Sequence, residues 1–405
     1  MKIKKVRARS ILDSRGNPTV EVRVVVGKRV FKASVPSGAS TGVYEAVELR
    51  DKNGGVQTAV ENVRKLIGPE IIGMDCSDQS KIDKKMIELD GSSDKGKLGA
   101  NAILGVSMAV CRAGAFADKK ELYEYISKLS GGKIRLPVPF FNVINGGRHA
   151  KNELLFQEFM VAPVGAKSFE ESFKIGKEIY SQLGRELKGS NVGDEGGFAP
   201  RKLSNGNALK MLNRIVLNYG GKVKIGLDVA ASEFFKNGKY NGINGNEMIN
   251  RYGSLIDNLE IVSIEDCFEQ NDWKNWIRFN NLFGDRVQIV GDDLLVTNVE
   301  RIEKAVLDKA CNALLLKINQ IGTISEAIEA FKVARKAGWG GMVSHRSGET
   351  KDDFIADLAV GLGCGQIKSG APFTKERLVK YERLVEIEKK LKGSSIYGCK
   401  ELCSV

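Results

Sequence analysis

The chain has 405 residues, 42% of them hydrophobic, with 62 Lys and Arg against 50 Asp and Glu and a formal charge of +12. That length holds two domains, or one barrel with an extra domain. The basic surplus is spread along the chain and interleaved with acids, so nucleic acid is not expected as the main partner.

No run approaches the roughly 20 apolar residues of a membrane span. The basic N-terminus lacks the apolar core of about 7–15 residues that a signal peptide needs. A cytoplasmic protein with no membrane partner is the expectation. Seven cysteines, odd in number and without a CxxC pair, read as reduced thiols.

Residues 1–35 alternate apolar and polar (TVEVRVVV, KRVFKASV), which predicts an antiparallel hairpin or meander turning at Gly27-Lys28. PSGASTG (36–42) follows, small and flexible, with Gly38 and Gly42 placed as hinges of a candidate lid. QTAVENVRKLIGPEIIG is helical in pattern. Residues 78–90 place Ile82, Met86 and Leu89 on one helical face, and 98–117 is apolar nearly all round, as in a buried helix. Residues 1–130 therefore read as a smaller N-terminal α+β domain, strands first and then helices.

A proline-bearing junction, 129–147, leads into residues 131–405. LPVPFFNVINGG and FQEFMVAPVG read as strands, 168–188 and 204–219 as amphipathic helices, and NVGDEGGFAP (191–200) as too glycine-rich for a regular element. From residue 222 the rhythm is strand then helix. KVKIGLD, IVSIED, QIVGDD, ALLLKIN, GMVSHRS and GQIKSG are apolar runs that stop at Asp228, Glu265, Asp292, Lys317, His345 and Lys368. Successive stops lie 37, 27, 25, 28 and 23 residues apart, the length of βα units. Thr323 with Glu326 and Thr350 with Asp353 have capping-box spacing. The fold class is α/β: a C-terminal (β/α)8-type barrel of about eight strands behind the smaller domain.

Chemistry in such a barrel sits at the carboxyl ends of its strands. Three carboxylates there, Asp228, Glu265 and Asp292, would repel unless a cation or nearby Lys and Arg compensated them. Hard oxygen ligands without a Cys or His cluster suit Mg2+. Lys317 and Lys368 stand in apolar surroundings, where a lysine pKa falls and the amine can serve as a base; the alternative is that they pair with the carboxylates. His149 and His345, the only histidines, both lie in polar Gly- and Ser-rich loops. Arg346 and Ser347 offer a planar cation and a hydroxyl suited to phosphate. Asp194 and Glu195 are adjacent, so one can keep a proton and act as a general acid, with Glu158 a further acidic partner.

These pieces run in order over nearly the whole chain: ILDSRGNPTVEV, SVPSGASTG, KLGANAILGVSMAV, LPVPFFNVINGG, QEFMVAP, NVGDEGGFAP, LDVAASEF, VSIED, DDLLVTN, LLLKINQIGT, MVSHRSGET, DDFIADLAVGL and GQIKSGAP. Together they resemble the enolase family. The resemblance implies a lyase of glycolysis and gluconeogenesis, reversibly dehydrating 2-phosphoglycerate to phosphoenolpyruvate, as a homodimer or larger homo-oligomer. Sites of that superfamily are a known pattern of a Lys or His base with one or two Mg2+ on an ene-diolate, not one deduced from this chain.

By the same resemblance Lys317 removes the proton alpha to the substrate carboxylate, and Glu195 protonates the departing hydroxyl with Glu158 assisting. Asp228, Glu265 and Asp292 hold the first Mg2+, and Ser40 joins a second as the SGAST loop closes. Gln157, His149, Glu158, Lys317, His345, Arg346, Ser347 and Lys368 line the substrate, His345 also counted with the catalytic group. Departures from the family pattern include Cys267 after VSIED, Gly291 before DD, Arg148 and Lys151 around His149, short linkers near 52–57, 201–224 and 240–249, and a loosely matching tail after 371. They bear on loop dynamics and the oligomer interface.

Overall fold

The computed structural model describes residues 1–38, 42–393 and 396–398. Its first unit is a three-stranded antiparallel meander, Ile3–Leu12, Pro18–Val26 and Arg29–Ser34, turning at Gly27 and Lys28 as the alternation predicts. Val20, Val22, Val24 and Val26 point to one face and are fully buried. That face is covered by the helix Ala100–Ala117. The helix is long and apolar enough to cross a membrane, but 83% of the stretch is buried inside the protein, as in a core helix.

The approach is close. A Cβ added at Gly105 meets Val22 Cγ2 at 2.6 Å. Gly105→Ala is therefore expected to cost about 1–3 kcal/mol through overpacking. The check is the denaturation midpoint, and an unchanged midpoint would mean that the helix can step back from the sheet.

Helix Gln79–Asp90 buries Ile82 and Met86 as expected, whereas Leu89 is 36% exposed. The buried stripe passes instead through Gln79, Asp83 and Asp90. These polar groups fasten the two parts of the chain. Ser107 Oγ accepts from the Ile324 amide at 3.0 Å, and Asp83 Oδ2 accepts from the Ser325 amide and hydroxyl at 3.0 and 2.7 Å. Thr323 caps the Glu326 amide at 3.2 Å. Three orphan donors of helix Ile324–Lys336 are thus satisfied, two of them from the N-terminal domain.

The barrel strands are Val138–Asn145, Glu158–Ala162, Lys224–Asp228, Ile261–Glu265, Gln288–Gly291, Ala313–Leu316, Gly340–Ser344 and Gly365–Lys368. The last pairs with the first, Lys368 opposite Phe140, which closes the ring. Phe140, Met160, Val262, Val290, Leu315 and Met342 fill the interior. Among them the buried amides of Gln288 and Gln366 bond each other reciprocally at 2.8 and 2.6 Å.

Glu158–Ala162 runs antiparallel to both neighbours, while the other six barrel pairings are parallel. The connection from Asn145 to Glu158 holds only one helical turn, Gly147–His149, too little for a crossover that would bring the chain back parallel. The reversal matters for the site. Glu158, the first residue of its strand, lies opposite Asn145 and Asp228, the last residues of theirs, and so joins the carboxyl-terminal rim.

Two local expectations differ. NVGDEGGFAP forms a small hairpin, Asn191–Val192 with Phe198–Ala199, added to the barrel sheet. Helix Phe354–Leu362 begins after Asp353 with no capping box from Thr350; the Asp352 carboxylate accepts from the Phe354 amide at 3.0 Å, and Thr350 Oγ1 is spent on the Ser34 carbonyl at 3.3 Å.

Candidate active site

Five of the six strand ends, Asp228, Asp292, Lys317, His345 and Lys368, line one cleft, and Glu265 stands beside it against Lys368. Asp228, Glu265, His345 and Lys368 are at most 2% exposed, Glu158 and Glu195 2%, and Arg346 5%. His149, Gln157, Asp292, Lys317 and Ser347 line the same space. Ser40, assigned to the second metal ion, lies outside the described residues. The flanks of its loop are fastened: Ser37 and Gly348 exchange two backbone bonds at 2.8 Å, and the Gly42 amide donates to Glu45 at 2.9 Å.

The lysines take the partners that the alternative reading gives them. Lys368 Nζ donates to both oxygens of Glu265 at 2.7 Å, to Glu158 at 3.2 Å and to Asp228 at 3.3 Å. Lys317 Nζ donates to Asp292 Oδ2, whose other oxygen accepts from Gln320 at 2.8 Å. The expected lowering of the lysine pKa values is not found. Burial opposes both ammonium charges, but Asp292 holds Lys317 above the usual lysine value, and Glu158 and Glu265 hold Lys368 well above it. A base at Lys317 therefore requires Asp292 to find another partner.

Glu195 stands on the 191–199 hairpin, whose turn uses Gly196 at φ +82°, a conformation that side chains other than glycine rarely adopt. Asn142 Nδ2 donates to Glu195 Oε2 at 2.7 Å, and His149 Nδ1 and His345 Nε2 both lie 3.4 Å from Oε1. Burial opposes its ionisation, but the two imidazoles, with Arg377 behind them, hold Glu195 well below the usual carboxylate range. Burial and the neighbouring Glu195 charge push Glu158 well above that range. The two carboxyls are thus pushed in opposite directions, Glu158 up and Glu195 down. Glu195 has both histidines within 3.4 Å of one oxygen, whereas Glu158 has the Glu195 charge beside it.

Sequence reasoning missed four groups. Arg377, fully buried on helix Lys375–Leu391, donates to His345 Nδ1 and to the carbonyls of Arg346, Ser347 and Asp194. A guanidinium can only donate, so His345 Nδ1 accepts and its ring proton sits on Nε2, facing Glu195. Burial pushes the His345 pKa well down, against the pull of the Glu195 charge. The helical spacing of Arg377, Lys380, Tyr381, Leu384 and Ile387, all buried, is a pattern that could have found it. Glu45 pairs with Arg346, Asp266 accepts from the amides of Asp292 and Asp293 at 2.9 Å each, and Asp293 joins them at the cleft. Glu45 carries no such pattern, and Asp266 and Asp293 were passed over beside Glu265 and Asp292.

Burial and the Asp292 charge push Asp293 up to about 7. In the folded chain it keeps a proton that the unfolded chain loses near pH 4, so its contribution to stability falls as pH rises from about 4 to about 7. Asp293→Asn should flatten the stability–pH curve across that window, measured by thermal melts in EDTA; a slope unchanged from wild type would contradict this.

The site is thus an eight-stranded barrel whose rim gathers buried carboxylates, two lysines and an arginine. The family description "Enolase, C-terminal TIM barrel domain" matches residues 133–404, and "Enolase, N-terminal domain" matches residues 3–126. The chain belongs to the enolase family.

That family is generally metal-dependent, and the residues fit a hard cation. Asp228, Glu265, Asp292, Asp266, Asp293, Glu158 and Glu195 crowd one rim, against Lys317, Lys368 and Arg377, with Arg346 already matched by Glu45. Asp266, Asp292 and Asp293 offer oxygens within 4.8 Å of one another, as do ligand atoms of His149, Glu158 and Glu195. Burial and the neighbouring carboxylates push Glu265 and Asp266 well above the usual range, a repulsion that a bound cation would relieve. The expected triad of Asp228, Glu265 and Asp292 lies on the same rim, spanned by the two lysines.

Proposed function

We propose that this protein reversibly dehydrates 2-phosphoglycerate to phosphoenolpyruvate, with residues 1–130 forming the lid-bearing domain, residues 131–405 the catalytic barrel, and a cytoplasmic homo-oligomer as the working form. The observation that carries the reading is the convergence of Lys317, the Glu158–Glu195 pair and Arg346 on one cleft walled by carboxylates.

Lys317 is the base. Its backbone is fixed by the bond from its amide to Thr297 Oγ1 at 3.0 Å, so the side chain extends from a rigid strand end. Its ammonium gives up its proton once Asp292 is engaged elsewhere, and the neutral amine takes the proton alpha to the substrate carboxylate. Two Mg2+, the first held by Asp228, Glu265 and Asp292 and the second by Ser40 with the phosphate, would supply electrostatic stabilisation for the charge developing on that carboxylate.

Glu158 and Glu195 deliver the proton to the leaving hydroxyl: Glu158 holds it, and Glu195, oriented by Asn142, His149 and His345, is the group that passes it on. Arg346 and Ser347 take the phosphate. Gln157, His149 and Lys368 complete the lining around the substrate.

The test is the ultraviolet absorbance of phosphoenolpyruvate formed from 2-phosphoglycerate, with Mg2+ and with EDTA. Formation that EDTA abolishes and Mg2+ restores is the expected result; folded protein that forms none with Mg2+ would sink the proposal.

A further inference from the structure

We infer that Glu45 is an internal counter-anion that occupies the Arg346 anion site in the free protein and is displaced when the substrate's phosphate binds. The inference rests on the assignment of Arg346 to phosphate and adds to it a residue that tunes affinity. Arg346 Nη1 donates to Glu45 Oε2 at 2.9 Å and Nη2 to Oε1 at 3.3 Å. This two-pronged contact is the one a guanidinium makes with two oxygens of a phosphate. The Glu45 and Arg346 side chains are each 5% exposed, so the pair is shielded from solvent.

The remaining donors to Glu45 make the same point. Oε1 also accepts from the Gly42 amide at 2.9 Å and from Gln320 Nε2 at 3.3 Å. A guanidinium, a backbone amide and a carboxamide thus converge on one pair of oxygens. Such a set would hold any oxyanion of matching size.

The Gln320 amide cannot turn away. The carboxylates of Glu45 and Asp292 can only accept, so Nε2 faces them and Oε1 takes the Thr297 hydroxyl proton at 2.9 Å. Gln320 Nε2 then faces two carboxylates, Glu45 and Asp292, donating to the latter at 2.8 Å. The anion site and the carboxylate that holds Lys317 therefore share one rigid donor.

Isothermal titration of inorganic phosphate into the full chain in EDTA tests the inference, comparing wild type with Glu45→Gln, which keeps the size and removes the charge. Phosphate is expected to bind the variant at least about tenfold more tightly, because it no longer competes with a built-in anion. The phosphate-induced rise in melting temperature should grow in parallel. Glu45→Asp, which keeps the charge and shortens its reach, should fall between the two and serves if Glu45→Gln does not fold. Equal or weaker binding by the variants would overturn the role of Glu45 alone. Absence of phosphate binding in wild type and variants alike would overturn the Arg346 assignment with it.

Discussion

Replacing Lys317 by alanine is expected to lower turnover of 2-phosphoglycerate by at least about 10²–10⁴-fold, the range that a positioned base contributes. The fold should survive. Asp292 keeps its bond from Gln320 Nε2 at 2.8 Å, and the strand end keeps its bond to Thr297. Lys317→Arg separates two roles. A guanidinium satisfies Asp292 but does not deprotonate in a protein. If Lys317 serves only as a counter-charge, the arginine variant keeps activity; if it is the base, both variants are inactive. Initial rates at saturating Mg2+ decide, with circular dichroism confirming that each variant is folded.

Lys368→Met is expected to give the largest loss of stability. One ammonium serves Glu265, Glu158 and Asp228 inside a closed barrel. Removing one partner of a buried ion pair costs about 3–5 kcal/mol, because the remaining charge is left unmatched. Burial and the Asp228 charge already push Glu265 well above the usual carboxylate range, and loss of Lys368 pushes it further. A carboxyl whose pKa is raised by folding loses stability as pH rises, so the variant should fall furthest behind wild type near neutrality and recover on acidification. Mg2+ should recover part of the loss at neutral pH. Thermal melts in EDTA, across pH and with added Mg2+, measure this; a wild-type melting temperature at neutral pH in EDTA would contradict it.

Much of the barrel is legible in the sequence because burial on both faces forces apolar runs, and each run stops where the rim meets the cleft. Asp228, Glu265 and Lys368 end their strands, and Asp292, Lys317 and His345 follow theirs directly. Strand direction is not written in that pattern. Glu158 reaches the rim only because its strand is reversed, and the reversal follows from the short connection before it.

The electrostatics were harder to read for a related reason. A lysine in an apolar run has a lowered pKa if it stands alone, and a raised one if the fold sets an acid against it. Asp292, 25 residues earlier in the chain, does this to Lys317. Glu45 and Arg346 are 301 residues apart, a contact that leaves no local trace, and the buried spacing that marks Arg377 on the last long helix does not say that it reaches His345. The cross-domain cap through Asp83 and Ser107 is invisible for the same reason, and it explains why a polar stripe replaces the Leu89 face on its helix.

The division of labour between base and acid is tested most directly by deuterium incorporation at the carbon alpha to the carboxylate when 2-phosphoglycerate is incubated with Mg2+ in D₂O, followed by NMR. Glu195→Gln should form almost no phosphoenolpyruvate yet still exchange that proton, because Lys317 is intact. Lys317→Ala should do neither. Exchange sustained by the Lys317→Ala protein, or lost in Glu195→Gln while Lys317 remains, would contradict the assignment.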